Sequence, residues 1–264
     1  TAAGIANAKH VQCSIGQTPE PDFSLLPLDL YRNNSKGNLI LPYELTWGCT
    51  NRCSFCTHYL FHKVQEKPDS KFVKEITDLS KRYNTNCFEF CDSSLNNSTG
   101  FLEHFCDEIC KSNLDIKWIS MIRPDNLSKK LLKKMKLSGC VHLRFGVESF
   151  SARVLKKMNK PFTKKEVIYS IKLAHDLGIG AEVFLISGFP LEREADVDEN
   201  ITALKKYSKW IDDVGLSRFR LDYNSLIYNH PKSFGITNLR LLEEVFFNEN
   251  HYGYDETGGM NWEE

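Results

Sequence analysis

The chain has 264 residues with 34 basic and 34 acidic side chains, so no overall field draws it to a nucleic-acid backbone or an anionic membrane. Hydrophobic residues make up 41% and charged ones 26%, which excludes disordered and collagen-like architectures, and no apolar run approaches the ~20 residues of a bilayer span. Nine cysteines, an odd number with no signal-peptide pattern, favour metal binding or thiol chemistry in the cytoplasm over a disulfide framework.

The chain begins at Thr1 rather than Met, as a fragment or processed form would. Residues 1–38 show no sustained periodicity and carry Pro19, Pro21 and Pro27 among polar residues, the composition of a linker or arm. Over 39–225, short β-rich runs alternate with helical patterns, which predicts βαβ units around a parallel sheet. Strands are expected near 41–47, 86–92, 115–122, 141–147, 180–187 and 214–223, with helices between them near 69–83, 99–112, 128–138, 151–159, 164–178 and 193–209. Ser128 stands as an N-cap, Thr163 with Glu166 as a capping box, and Gly139 and Gly178 as helix stops. Pro42 makes the first strand an edge. A closed barrel has no edges, so the expected fold is α/β, an open partial (βα)6 TIM-like barrel with parallel strands. Residues 226–264, rich in Asn, Gly and Tyr, are expected to add a C-terminal extension of loops with a short helix around Leu239 to Phe247.

Alternate strand residues point to opposite faces. Val141, Leu143, Phe145 and Val147 oppose His142, Arg144 and Gly146; Ala181, Val183 and Leu185 oppose Glu182, Phe184 and Ile186; Phe219 and Leu221 oppose Arg218, Arg220 and Asp222. The polar faces are expected to line the lumen. Barrel interiors are usually apolar, so these groups imply a polar, anionic ligand near Arg144, Glu182, Arg218 and Arg220, or else internal ion pairs with no ligand.

Directly after the first strand, Trp47-Gly48-Cys49-Thr50-Asn51-Arg52-Cys53-Ser54-Phe55-Cys56 sets three thiols at C-x3-C-x2-C spacing. Structural zinc closes with four ligands, and a 4Fe-4S cluster has four irons to ligate. Three thiolates on such a cluster leave one iron open to a small chelating molecule, at the barrel end where active sites are built. The alternative is zinc completed by His58 or His62, in a non-catalytic metal-binding interaction module.

The loop, with Phe55 just before its last cysteine, resembles the signature of the radical S-adenosylmethionine (SAM) superfamily, and three later strand-end segments match that family in order. Phe88-Glu89-Phe90-Cys91-Asp92-Ser93-Ser94-Leu95-Asn96 resembles the segment that binds the SAM amino group, with Asp92 as acceptor and Ser93 where relatives often carry a second acid. Gly146-Val147-Glu148-Ser149 resembles the segment contacting the ribose and methionyl part. Ile186-Ser187-Gly188-Phe189-Pro190-Leu191-Glu192 resembles the turn against the adenine, where Gly188 allows close approach. Arg123 and Arg144 join this SAM-facing set, and Arg123 suits a carboxylate. The resemblance implies a 4Fe-4S cluster on Cys49, Cys53 and Cys56, SAM as co-substrate or cofactor, one-electron cleavage to a 5'-deoxyadenosyl radical, and a low-potential donor such as flavodoxin or ferredoxin. It leaves the substrate unnamed. A closer likeness is to the branch in which a cobalamin-binding domain precedes the radical core, because Pro19 to Asp29 resembles the linker between the two. That likeness implies cobalamin for relatives; its His-containing signature is not found in this chain.

Other features invite ordinary readings. Cys87 with Cys91 and Cys106 with Cys110 would make a second four-thiol site, but free cysteine is more often a small buried hydrophobe, the expectation here and for Cys13 and Cys140. Lys129, Lys130, Lys133, Lys134 and Lys136 are expected to form a solvated helix face, with reductase docking as the other use. Trp118, Trp210 and Trp262 are expected in the core.

Overall fold

The protein is described by a computed structural model covering residues 13–34, 37–58, 63–242 and 251–258. After helix α1 (Leu28–Asn34), strand β1 (Ile40–Tyr43) opens the main sheet, and two short strands, β2 (Thr46–Trp47) and β3 (Gln65–Glu66), pair antiparallel beside it. Then follow α2 (Asp69–Tyr83), β4 (Cys87–Phe90), α3 (Thr99–Lys111), β5 (Lys117–Ile122), α4 (Lys129–Leu137), β6 (Cys140–Glu148), α5 (Ala152–Lys157), α6 (Lys164–Asp176), β7 (Gly180–Ser187), α7 (Glu194–Tyr207) and β8 (Asp213–Arg218). The six-stranded sheet runs β1-β4-β5-β6-β7-β8 with every neighbour parallel. It is an open partial barrel with β1 and β8 as edges, and Pro42 lies exposed on the first of them.

Period-2 burial makes the core. Leu41 and Tyr43, Phe88 and Phe90, Leu143, Phe145 and Val147, and Ala181 and Val183 turn toward the helices, where they meet Phe72, Ile76, Leu79, Phe105 and Leu131. Trp118 lies 5.3 Å from the Phe90 ring and 6.0 Å from Phe105, and its indole N–H donates to the Ser138 carbonyl at 3.0 Å. Local signals place the helices: Ser128 caps α4, and Thr163 with Glu166 closes a capping box on α6. Gly139 has φ 97, and a Cβ there would stand 1.9 Å from the Ile116 carbonyl oxygen, so only glycine lets β6 follow α4 so closely.

Several expectations need correction. A register shift where β5 meets β6 turns Val141 out of the core and leaves it 40% exposed, while Cys140 is buried as expected. The last strand stops at Arg218, because its neighbour β7 ends at Ser187; Phe219 and Leu221 bury themselves beyond it. Arg218 stands in register with Ser187, on the face of Val183 and Leu185, so it does not share the face of Arg144 and Glu182. The short helix around Leu239 gives way to β9 (Ile236–Leu242), paired antiparallel with β10 (His251–Glu256) after a one-turn helix α8 (Leu226–Asn229); the rest of that stretch, to Phe247, lies outside the described residues, as does Trp262. Part of the expected linker or arm packs on the core. Ile15 is buried, and Phe23 packs edge-on against Tyr83, whose hydroxyl donates to Asp22 at 2.8 Å.

Cys106 and Cys140 are buried, but Cys13, Cys91 and Cys110 are exposed and Cys87 is half-buried. Cys106 packs among the helix-side core while Cys87 lies on the opposite strand face from Phe88, so those four thiols do not converge. Trp210 stacks on Tyr207 at 5.6 Å, half-buried beside the core. Among the described residues no helix is long and apolar enough to cross a membrane.

Candidate cluster and cofactor site

The residues singled out from the sequence gather at one rim, because the C-terminal ends of parallel strands all point the same way. Thr46 pairs with Glu66 and Trp47 with Gln65, so the cysteine loop leaves and returns at the rim end of β1. Asn97, after β4, holds its entry: the amide donates to the Gly48 carbonyl at 2.9 Å, and its oxygen accepts from Thr50 N at 3.2 Å and Thr50 Oγ1 at 3.3 Å. Arg123, after β5, donates through Nη1 to Asn97 Oδ1 at 3.0 Å and reaches the Cys49 thiol. Asp125 fixes that guanidinium at 2.9 and 3.3 Å. The far side of the loop is tied to α5 and α8. Ser54 N donates to the Met158 carbonyl at 2.9 Å and its Oγ to Lys157 O at 3.0 Å; Asn159 donates to Arg52 O at 2.7 Å, and Ile227 N to Ser54 O at 3.0 Å.

Cys53 is buried, and Cys49 and Cys56 are half-buried. Burial pushes the Cys53 and Cys56 thiols up, while Lys160 works against both shifts. The Lys160 side chain is only 5% exposed; its Nζ lies 2.9 Å from Glu148 Oε1 and 5.4 Å from the Phe55 ring centre. Burial acts to lower the Lys160 ammonium, but Glu148 and the Cys53 and Cys56 sulfurs outweigh it and hold the group charged. Glu148 itself has φ 66, a left-handed backbone that turns the chain off the end of β6. Soft sulfur donors select zinc or iron–sulfur centres, and two guanidinium or ammonium cations beside three thiols suit an anionic cluster. The residues present therefore fit a trithiolate cluster. Among the described residues, no three His, Cys, Asp or Glu side chains converge to hold a single metal ion. His58 Nδ1 lies 3.1 Å from Ser93 Oγ, and His62 lies outside the described residues.

The other expected contacts divide. Gly188 has φ 76 and nothing within 4 Å of where a Cβ would stand, with its N–H donating to Glu192 Oε2 at 2.7 Å. Phe55 meets Phe189 edge-on at 6.5 Å, and Ile186 packs with them in a second apolar cluster that the β9–β10 hairpin completes through Ile236 and Tyr254. Asp92 and Ser149 turn inward. Asp92 accepts from Leu45 N at 3.3 Å, Thr46 Oγ1 at 2.6 Å and Thr46 N, and burial pushes its carboxyl up to about 6. Ser149 Oγ donates to Asn200 Oδ1 at 3.1 Å and accepts from Ser151 N. Arg144 sits deeper, bridging Glu89 and Glu182, with His142 4.0 Å from Glu182: the lumen polarity there is an internal ion-pair network. Arg220 pairs with the half-buried Asp222 instead, at 2.8 Å. Lys160 and Asn97 were not among the expected site residues; Lys160 follows Lys156 and Lys157, and no local pattern marks it apart.

A family model of the radical SAM superfamily matches residues 43–204. An uncharacterized methyltransferase of Pyrococcus horikoshii is 28% identical over 198 residues, covering 73% of this chain and 42% of the relative. The anaerobic magnesium-protoporphyrin IX monomethyl ester cyclase of Rubrivivax gelatinosus is 26% identical over 182 residues, covering 68% and 33%. Among solved structures, the fold is similar to the radical SAM methyltransferase TsrM of Kitasatospora setae, with TM-score 0.70, 18% identity and coverage of 83% of this chain and 43% of that one. It is also similar to the cobalamin-dependent SAM radical enzyme OxsB, with TM-score 0.68, 18% identity and coverage of 92% and 41%. The chain spans less than half the length of these relatives. The matched segment contains the cysteine loop and the ends of β4, β5, β6 and β7 that surround it, and this chain belongs to the radical SAM superfamily.

Proposed function

We propose that Cys49, Cys53 and Cys56 hold a 4Fe-4S cluster and that the chain is the core of a cytoplasmic enzyme that cleaves SAM reductively. The observation that carries this reading is a loop of three thiols without disulfides at the C-terminal rim of an open parallel barrel, with Arg123 and Lys160 beside it. When bound, such a cluster supplies an iron with no protein ligand and the electron that breaks a carbon–sulfur bond of SAM. The protein's own part is placement. Glu148, at the rim end of β6, offers its second carboxylate oxygen to a hydroxyl or amino group of SAM. Gly188 leaves room for a flat base, and Phe55, Ile186 and Phe189 form an apolar wall that keeps water from it. Ser93 adds a hydroxyl at the rim. Asp92 and Ser149 are positioning residues, the first acting through Thr46 and the β1–β2 turn, the second through the entry to α5.

The reading extends to methyl transfer linked to cobalamin, supported by similarity to a curated methyltransferase and to the TsrM and OxsB folds. No residue of this chain is assigned to a corrin. A low-potential donor such as flavodoxin or ferredoxin would deliver the electron. A non-catalytic metal-binding module is not favoured by a family match over residues 43–204. Incubating the reduced, reconstituted protein with SAM is expected to yield 5'-deoxyadenosine, and Cys53→Ala to abolish it. An intact cluster that leaves SAM untouched would refute the activity. With cobalamin added, S-adenosylhomocysteine should accumulate as well if methyl transfer operates.

A further inference from the structure

The surface outside the cysteine loop is locally basic in a chain whose charge is balanced overall. Three segments meet there, 49–58, 152–160 and 225–234, joined by the hydrogen bonds from Ser54, Asn159 and Ile227 described above. Together they contain no Asp or Glu. Two of their cations are neutralised from elsewhere, Arg153 by Asp196 and Lys160 by Glu148. Arg52, Lys156, Lys157 and Lys232 are exposed and make no ion pair among the described residues. The lysine run on α4 is different, because Lys130 and Lys134 meet Glu103, Lys134 meets Asp107, and Lys136 donates to the Gly178 carbonyl. That face is partly spent on the protein's own acids.

We infer that the patch formed by Arg52, Lys156, Lys157 and Lys232 is the docking surface for an acidic one-electron donor protein. The inference rests on the proposed cluster. Uncompensated like charges concentrate an oppositely charged partner and orient it at encounter. The patch is also close enough for electron delivery. The Lys157 carbonyl is one hydrogen bond from Ser54, the neighbour of Cys53, so a donor seated here is a single layer of protein from the thiols. The donor loses one electron, the cluster gains it, and no bond is made or broken at this step. RNA would also be drawn to cations, but the balanced charge of the whole chain gives it no extended track.

The test uses the reconstituted full chain in a stopped-flow instrument, with a reduced acidic flavodoxin as probe and dithionite as a small-molecule control. Flavodoxin-driven reduction should slow as salt rises. Reversing two charges in K156E/K157E should slow it by about tenfold or more at low salt, with iron content and dithionite-driven reduction unchanged, and the neutral K156Q/K157Q should fall between. A salt-insensitive rate in the unaltered protein, or variants that accept electrons from flavodoxin at the unaltered rate, would overturn the inference. So would binding of bulk tRNA that the double variant loses while flavodoxin reduction persists. A chain that takes up no iron would refute the cluster alone; the patch is then judged by flavodoxin binding to the apoprotein, which K156E/K157E should weaken by a similar factor.

Discussion

Replacing Lys160 with methionine removes the ammonium beside the cysteine loop and keeps most of the apolar stem. The Lys160 and Glu148 side chains are 5% and 14% exposed and 2.9 Å apart, so the substitution leaves a carboxylate with little water to replace its partner. Breaking a buried pair from one side costs about 3–5 kcal/mol; because the Glu148 side chain keeps some solvent contact, the low end, about 3 kcal/mol, is expected. Methionine still touches Phe55 and Phe162, so loss of packing adds little. Glu148→Gln on its own strands the ammonium instead. The double variant K160M/E148Q strands neither charge and should recover about 2 kcal/mol relative to the sum of the singles, within the range seen for contacting pairs. Urea unfolding of the anaerobic apoprotein measures all four corners of this cycle. Additive losses, or a K160M loss below about 0.5 kcal/mol, would refute the claim that the pair is buried and mutually dependent.

Three further outcomes are expected. Gly188→Ala should cost only about 1–2 kcal/mol, the strain of a left-handed backbone, since no atom lies within 4 Å of the new methyl; SAM affinity, read by calorimetry on the reconstituted protein, should drop about tenfold or more, and unchanged affinity would remove the base from that turn. The Asp92 carboxyl is raised from 3.8 to about 6 in the fold. The native state therefore binds the extra proton, and the contribution is full below about pH 4 and lost as pH rises through about 6. Subtracting the urea-derived stability of Asp92→Asn from that of the unaltered protein at each pH should expose a fall of up to about 3 kcal/mol over that window, and a flat difference would contradict the burial argument. Phe189 is 1% exposed and meets Phe55, Phe219 and Phe234. Phe189→Ala should destabilise by about 3–5 kcal/mol and weaken iron retention after reconstitution through Phe55; iron uptake equal to that of the unaltered protein would sever that link.

The alternation of strands and helices was legible because most of the sheet strands alternate apolar and polar residues and several helices carry a local cap or stop, as at Ser128, Thr163 and Gly139. Pro42 disclosed the open edge for a similarly local reason. What sequence could not disclose depended on partners far along the chain. The shift that turns Val141 outward exists only where β6 meets β5, and the tail hairpin needs the pairing of 236–242 with 251–256. Strand parity correctly put Arg144 with Glu182 but could not say that Glu89, from a third strand, would join them. Residue type at the strand ends was visible, whereas direction was not: the short side chains of Asp92 and Ser149 are claimed by nearby donors and acceptors, and Lys160 became distinct from its neighbours only once folding buried it beside Glu148 and Phe55.

Anaerobic reconstitution, followed by metal counting and electron paramagnetic resonance of the reduced protein with and without SAM, asks whether the three thiols hold an open iron–sulfur cluster. About four irons per chain and a cluster spectrum that changes when SAM is added are expected. One tightly held zinc per chain, with no paramagnetic signal and no response to SAM, would contradict that cluster.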